Sequence, residues 1–102
     1  MKKQISEGAV DRMSCLFEEL ADKNTLAITT RLVGQSRTYE ELFVQTKMEH
    51  EDLAGKLYDL MQKQIIRTDG ADSFVLYDAI VLNIVKLGIE KAEYMANREF
   101  CC

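Results

Sequence analysis

A chain of 102 residues with 17 acidic and 13 basic side chains and a net charge of −4 has the length of one domain, and its 47% hydrophobic and 29% charged content excludes a disordered or low-complexity protein. No apolar run approaches the roughly 18 residues of a membrane-spanning helix, and the opening residues lack the apolar stretch of a secretory signal. The three cysteines are an odd number and form no disulfide framework, so a cytoplasmic protein away from the membrane is expected.

Ile5, Val10, Met13, Leu16, Phe17 and Leu20 recur at helical spacing, with Glu7, Asp11, Glu18 and Glu19 expected on the watered side. The first helix should run over about residues 6 to 22. Cys15, among Met13, Leu16 and Phe17, reads as a small buried hydrophobe, the alternative being a redox pairing with Cys101 or Cys102. Asp22-Lys23-Asn24 supplies a cap, after which Leu26, Ile28, Leu32 and Val33 carry a second helix that Gly34 stops. Gly34 to Arg37 reads as a loop. Thr38-Tyr39-Glu40-Glu41 then has the spacing of a capping box, in which the threonine oxygen accepts an orphan amide and the glutamate reaches back. A third helix begins there, with Leu42, Phe43 and Val44 on its inner face.

Gln45-Thr46-Lys47 interrupts, and Met48, Leu53, Leu57, Leu60 and Met61 resume in a longer fourth helix over about residues 49 to 63. Ile65 to Thr68 and Phe74 to Tyr77 are short branched and aromatic segments separated by Asp69-Gly70-Ala71-Asp72-Ser73, the chemistry of a hairpin turn. The terminal helix, from Asp78, is richer in apolar residues between Ile80 and Tyr94 than one outward-facing helix requires. Part of it should meet a second copy of the chain, with Met13, Leu16, Ile80, Ile84, Leu87 and Tyr94 as candidate interface residues. Nothing divides the chain: residues 1–102 read as a single domain with a helix-turn-helix over about 38–63, a wing over about 65–77 and a loose tail at 98–102. The expected fold class is mainly α with a small β-hairpin, in the order α-α-α-α-β-β-α.

This order, together with LADKNTLAITTRLV and ELFVQTKMEHEDLAGKLYDLMQKQIIRTDG, resembles the winged helix-turn-helix regulators of the ArsR-like superfamily, the arsenic-repressor and metal-sensor proteins, over roughly residues 16 to 90. The resemblance implies a homodimer through the first and last helices, a fourth helix that enters the major groove of double-stranded DNA, and a wing on its backbone or minor groove. It also implies where metal would sit, and the residues there differ. Glu41-Leu42-Phe43-Val44 has no thiol where the family carries a cysteine pair, and no histidine follows Asp78 in the terminal helix. No metal site and no cofactor are therefore expected.

A DNA reader neutralises phosphates with Lys and Arg. Between Ser36 and Asp72 eight acidic residues stand against five basic ones. Glu49, Glu51 and Asp52 suit the first turn of a helix, where the dipole favours anions, but they also repel phosphate. The candidate DNA contacts are Arg37 before the third helix, Lys47 in the turn, His50, Lys56, Tyr58 and Lys63 on the fourth helix, and Arg67 at the base of the wing. His50 has a second reading as a solvated surface histidine.

The same acids leave open a module that binds a protein partner with a basic surface, or that mimics nucleic-acid charge. A third possibility is a small-molecule or redox sensor using Cys15 or an interface pocket. An enzyme is not expected, because the chain has one histidine and lacks a glycine-rich phosphate loop, a nucleophile elbow and a histidine pair.

Overall fold

The computed structural model describes residues 7–70 and 72–97. The order among them is α1 (Glu7–Ala21), α2 (Lys23–Arg31), β1 (Arg37–Thr38), α3 (Tyr39–Thr46), α4 (His50–Gln62), β2 (Ile66–Asp69), β3 (Ser73–Leu76) and α5 (Ala79–Asn97). The order read from the sequence stands, with one addition. Arg37, expected in a loop, and Thr38, expected as the cap of the third helix, pair antiparallel with Phe74 and Ser73, so the hairpin becomes a three-stranded sheet in the order β1-β3-β2. The hairpin register places Ile66 opposite Leu76 and Asp69 opposite Ser73, with Gly70 at φ 84° in the turn. The tail at residues 98–102 and Ile5 of the first stripe lie outside the described residues.

The polar nine-residue α2 is the hub of the packing, touching α1, α3, α4 and α5. That position explains why Thr25, Ile28 and Thr29 are all fully buried in a helix whose composition looks half solvated. Around it Leu42 of α3, Leu53 and Leu60 of α4, Ile66 of β2 and Val81 of α5 close the core. Each buried leucine of this kind contributes roughly 2 to 3 kcal/mol through burial.

Two residues depart from the expected burial for the same geometric reason. Cys15 is exposed, because it lies roughly 140° around α1 from the buried Leu20 at 3.6 residues per turn. Val44 is 70% exposed, because two residues turn it roughly 200° away from Leu42. A third departure has a chemical cause, described below: Glu19, read as solvated, has a side chain only 15% exposed.

The ends of α3 and α4 are set by local chemistry. The amide of Glu41 donates to Thr38 Oγ1 at 3.1 Å and the amide of Thr38 donates to Glu41 Oε1 at 2.9 Å, completing the capping box. Lys47 ends α3 in the left-handed conformation, φ 59°, and its amide donates to the Phe43 carbonyl. At the far end of α4, Gln64 is also left-handed, φ 61°. Its amide donates to Met61 and that of Ile65 to Leu60, the two bonds of a Schellman motif, with Leu60 and Ile65 both buried. The amides of Ile80 and Val81 donate to Asp78 Oδ1 at 2.8 and 3.1 Å at the start of α5. Among the described residues no helix is long and apolar enough to cross a membrane.

Candidate nucleic-acid interface

α3, the turn at Lys47 and α4 form a helix-turn-helix, and β2 and β3 follow as its wing. The exposed surface of α4 carries His50, Glu51, Asp52, Ala54, Gly55 and Tyr58, the last 63% exposed. Glu49 precedes the helix in extended conformation without capping it through its side chain, so this first turn is acidic and open to solvent.

The candidate contact residues do not form one patch. His50 stacks on Phe43 with 3.8 Å between ring centres, and Tyr39 Oη lies 3.1 Å from its Nδ1. Arg37, half-buried in β1, donates from Nε to the Arg31 carbonyl at 3.0 Å. Arg67 lies with its guanidinium 4.9 Å from the centre of the Tyr77 ring. Lys47 stands exposed in the turn.

Lys56 and Lys63 turn the other way, toward α1 and the cap of α2. The Lys56 ammonium lies 3.5 Å from Glu19, 3.3 Å from Asp22 and 4.0 Å from Asp59. Lys63 contacts the other oxygen of Glu19 and lies 3.0 Å from Asp59. Thr25 completes the cluster by donating its hydroxyl to Glu19 Oε2 at 2.6 Å and its amide to Asp22 Oδ2 at 3.0 Å.

These partners shift the titrations. The hydrogen bond from Lys63, then that from Thr25, holds the Glu19 carboxyl below its ordinary range, against the opposing effect of burial. The Thr25 amide does the same for Asp22, and Glu19 raises the Lys63 ammonium. Only the Lys56-Asp59 and Asp59-Lys63 spacings, three and four residues apart on one helix, were visible in the sequence as a sign of this cluster. The participation of Glu19 and Asp22 depends on how α1 and α2 pack, which no local spacing encodes.

A second surface lies away from the helix-turn-helix. Phe17, Leu20, Leu26, Ile84, Val85 and Ile89 line an apolar groove of about 370 Å³ between α1, α2 and α5. Ile80, Leu87 and Tyr94, at 68%, 64% and 48% exposed, recur every seven residues along α5 and therefore form one stripe, while Met13 on α1 is 48% exposed. Leu16 and Ile84, the other candidate interface residues, are half-buried against the core. Among the described residues no group of three or more histidines, cysteines and carboxylates is arranged to hold a metal ion.

A helix-turn-helix followed by a strand pair and packed between a first and a last helix defines the winged-helix fold, and this chain has it. Solved structures agree in shape. The chain is similar to HlyU from Vibrio cholerae N16961, with a TM-score of 0.72 and 18% identity over 80% of this chain and 92% of that one. It is similar to the antimony-specific transcriptional repressor AntR, with a TM-score of 0.77 and 22% identity over 91% of this chain and 90% of that one. Rv0081 of M. tuberculosis matches with a TM-score of 0.70 and 20% identity over 91% of this chain and 98% of that one. No family model matches the sequence, and no curated protein does.

Proposed function

We propose that this chain is a DNA-binding transcription regulator of the ArsR-like kind, a single cytoplasmic domain that works as a homodimer. The observation that carries the reading is the helix-turn-helix with its wing, in an architecture that AntR, a transcriptional repressor, shares over nearly its whole length. Two copies joined through α1 and α5 would cover the apolar groove and the stripe of Ile80, Leu87 and Tyr94, and would present two α4 helices to successive turns of one duplex face. Lys47, His50, Tyr58 and Arg67 are the contact residues within direct reach, with Arg37 behind them, while Lys56 and Lys63 contribute once they leave their carboxylates.

The test is selection from a random genomic DNA pool at low and near-physiological salt, with sedimentation of the same sample. Enrichment of a roughly palindromic site by a dimer supports the reading. A monomer that enriches nothing removes it.

One observation favours a second reading, a module for a basic protein partner. With the ammonium groups of Lys56 and Lys63 paired with Glu19, Asp22 and Asp59, the first turn of α4 shows Glu49, Glu51 and Asp52 exposed, with no ion pair to any of the three among the described residues. Recovery of one specific basic partner by the wild-type protein, lost on reversing these three charges, would move the function there.

A further inference from the structure

Lys56 borders two clefts. On the inner side is a cleft of about 520 Å³ between α1 and α4, floored by Leu16, Ile65 and Val81, where the ammonium meets Glu19 and Asp22. On the outer side is a shallower groove of about 370 Å³ along the exposed face of α4, lined by Asn24, Glu51, Asp52, Gly55 and Asp59. Gly55 brings no side chain to that groove, and nothing lies within 4 Å of where a Cβ would stand. A lysine is a point charge on a flexible four-carbon stem, so rotation about its own bonds can redirect the ammonium without moving the helix.

The inner seat is the one the ammonium occupies. The side chains of Lys56 and Glu19 are 21% and 15% exposed, so their attraction is screened less than that of an open surface pair. The same carboxylate also engages Lys63. Lys56 of α4 and Lys63 at its C-cap are thus both paired with carboxylates while the first-turn acids of α4 remain uncovered.

We infer that Glu19 and Asp22 act as an intramolecular substitute for DNA phosphate, holding Lys56 off the outer face of α4 and setting the affinity of this helix for a phosphate backbone. The inference rests on the regulator reading and names the contact that restrains it. Binding exchanges two carboxylates for a phosphate at the same ammonium, with Lys56 moving over Gly55. Glu19 and Asp22 are positioning residues, acting through Lys56.

The experiment is fluorescence anisotropy on a short random-sequence duplex across a salt series, with wild type, Glu19→Gln, Asp22→Asn, and each of these combined with Lys56→Met. Circular dichroism verifies that every variant is folded. Glu19→Gln should bind roughly three- to tenfold tighter at low salt, with a salt slope steeper by about 0.9, as one added phosphate contact gives. Lys56→Met in that background should remove the gain. A gain that survives Lys56→Met comes from the freed Lys63 or from the lost negative charge and overturns the inference, as does no gain or no binding by any variant. If Glu19→Gln does not fold, Asp22→Asn carries the same comparison, since its amide oxygen still caps α2. Failure to enrich a genomic site would remove the regulator reading, while the random duplex would still decide the role of Glu19.

Discussion

The imidazole of His50 lies flat on the phenyl ring of Phe43, with 3.8 Å between ring centres and 4° between their planes. Tyr39 joins this contact through its hydroxyl, 3.1 Å from Nδ1 and 3.2 Å from the carbonyl of His50. The first residue of α4 is thereby fastened to the helix before it. Replacing His50 by alanine should cost about 1 kcal/mol, the size of an aromatic pair. Tyr39→Phe should cost about half as much by removing the hydroxyl. Urea denaturation of the two variants measures both, and an unchanged midpoint for His50→Ala would show that the stack contributes nothing.

Two threonines one turn apart on α2 should respond to valine with opposite signs. Thr25 and Thr29 are both fully buried. The Thr25 hydroxyl donates to Glu19, whereas Thr29 Oγ1 has no hydrogen-bond partner among the described residues. Thr25→Val should destabilise by about 2 kcal/mol, because it removes a bond to a charged acceptor. Thr29→Val should stabilise by about 1 kcal/mol by removing an unpaired buried hydroxyl. Thermal or urea unfolding of the pair decides it, and shifts of the same sign would contradict the assignment.

Stability should fall at both ends of the pH scale through the α1-α4 cluster. Glu19, whose ordinary value is 4.5, is held lower in the folded chain, chiefly by Lys63. Its stabilisation is complete above 4.5 and is lost as pH falls through the lowered folded value. Asp22 follows the same sign below its ordinary 3.8. Lys63 is raised above 10.5, chiefly by Glu19, so its contribution is complete below that pH and lost as pH rises through the higher folded value. Urea midpoints measured against pH should show both arms, and Glu19→Gln should weaken each of them. An unaltered profile in that variant would assign the arms to other groups.

Gly55→Ala should stabilise the fold by about 0.8 kcal/mol, since the position is helical, exposed and without a neighbour to meet the new methyl group. The readout is the urea midpoint at unchanged slope. A loss of stability would mean that the open space at this residue is not what the structure describes.

If the proposed homodimer joins through α5, Leu87→Glu should turn the protein monomeric at micromolar concentration while leaving its secondary structure unchanged, because Leu87 is 64% exposed within one chain. Sedimentation velocity of the variant beside the wild type tests this. A variant that stays dimeric would move the contact away from the middle of α5.

What the sequence revealed, and what it hid, follows the range of the interactions involved. The capping box at Thr38 and Glu41 and the turn at Gly70 are encoded within four residues, so α3 and the hairpin were legible. β1 was not, because two residues carry no alternation and its partners, Phe74 and Ser73, are distant in sequence. Lys56 sits on the polar side of α4 by its spacing and was read as facing outward. The carboxylates that draw it inward come from α1 and from the cap of α2, distant in sequence. His50 read as a solvated ring or a base contact for the same reason, since Phe43 reaches it only across the turn. Cys15 differs for another reason: free cysteine tends to be buried, but the helical angle turns this one away from the buried Leu20.

Lys47, which ends α3 and opens the turn into α4, and Gln64, just past the end of α4, hold left-handed backbone where glycine would be easier by about 1 to 2 kcal/mol. Both have side chains that narrow the conformations open to the turns they occupy, and the His50-Phe43 stack adds a third restraint at the first residue of the helix. α4 is consequently preorganised, its angle to α3 and to the wing fixed on folding. A partner of α4 would therefore meet a backbone whose ends are already set by the fold, and less ordering entropy would remain to be lost on binding.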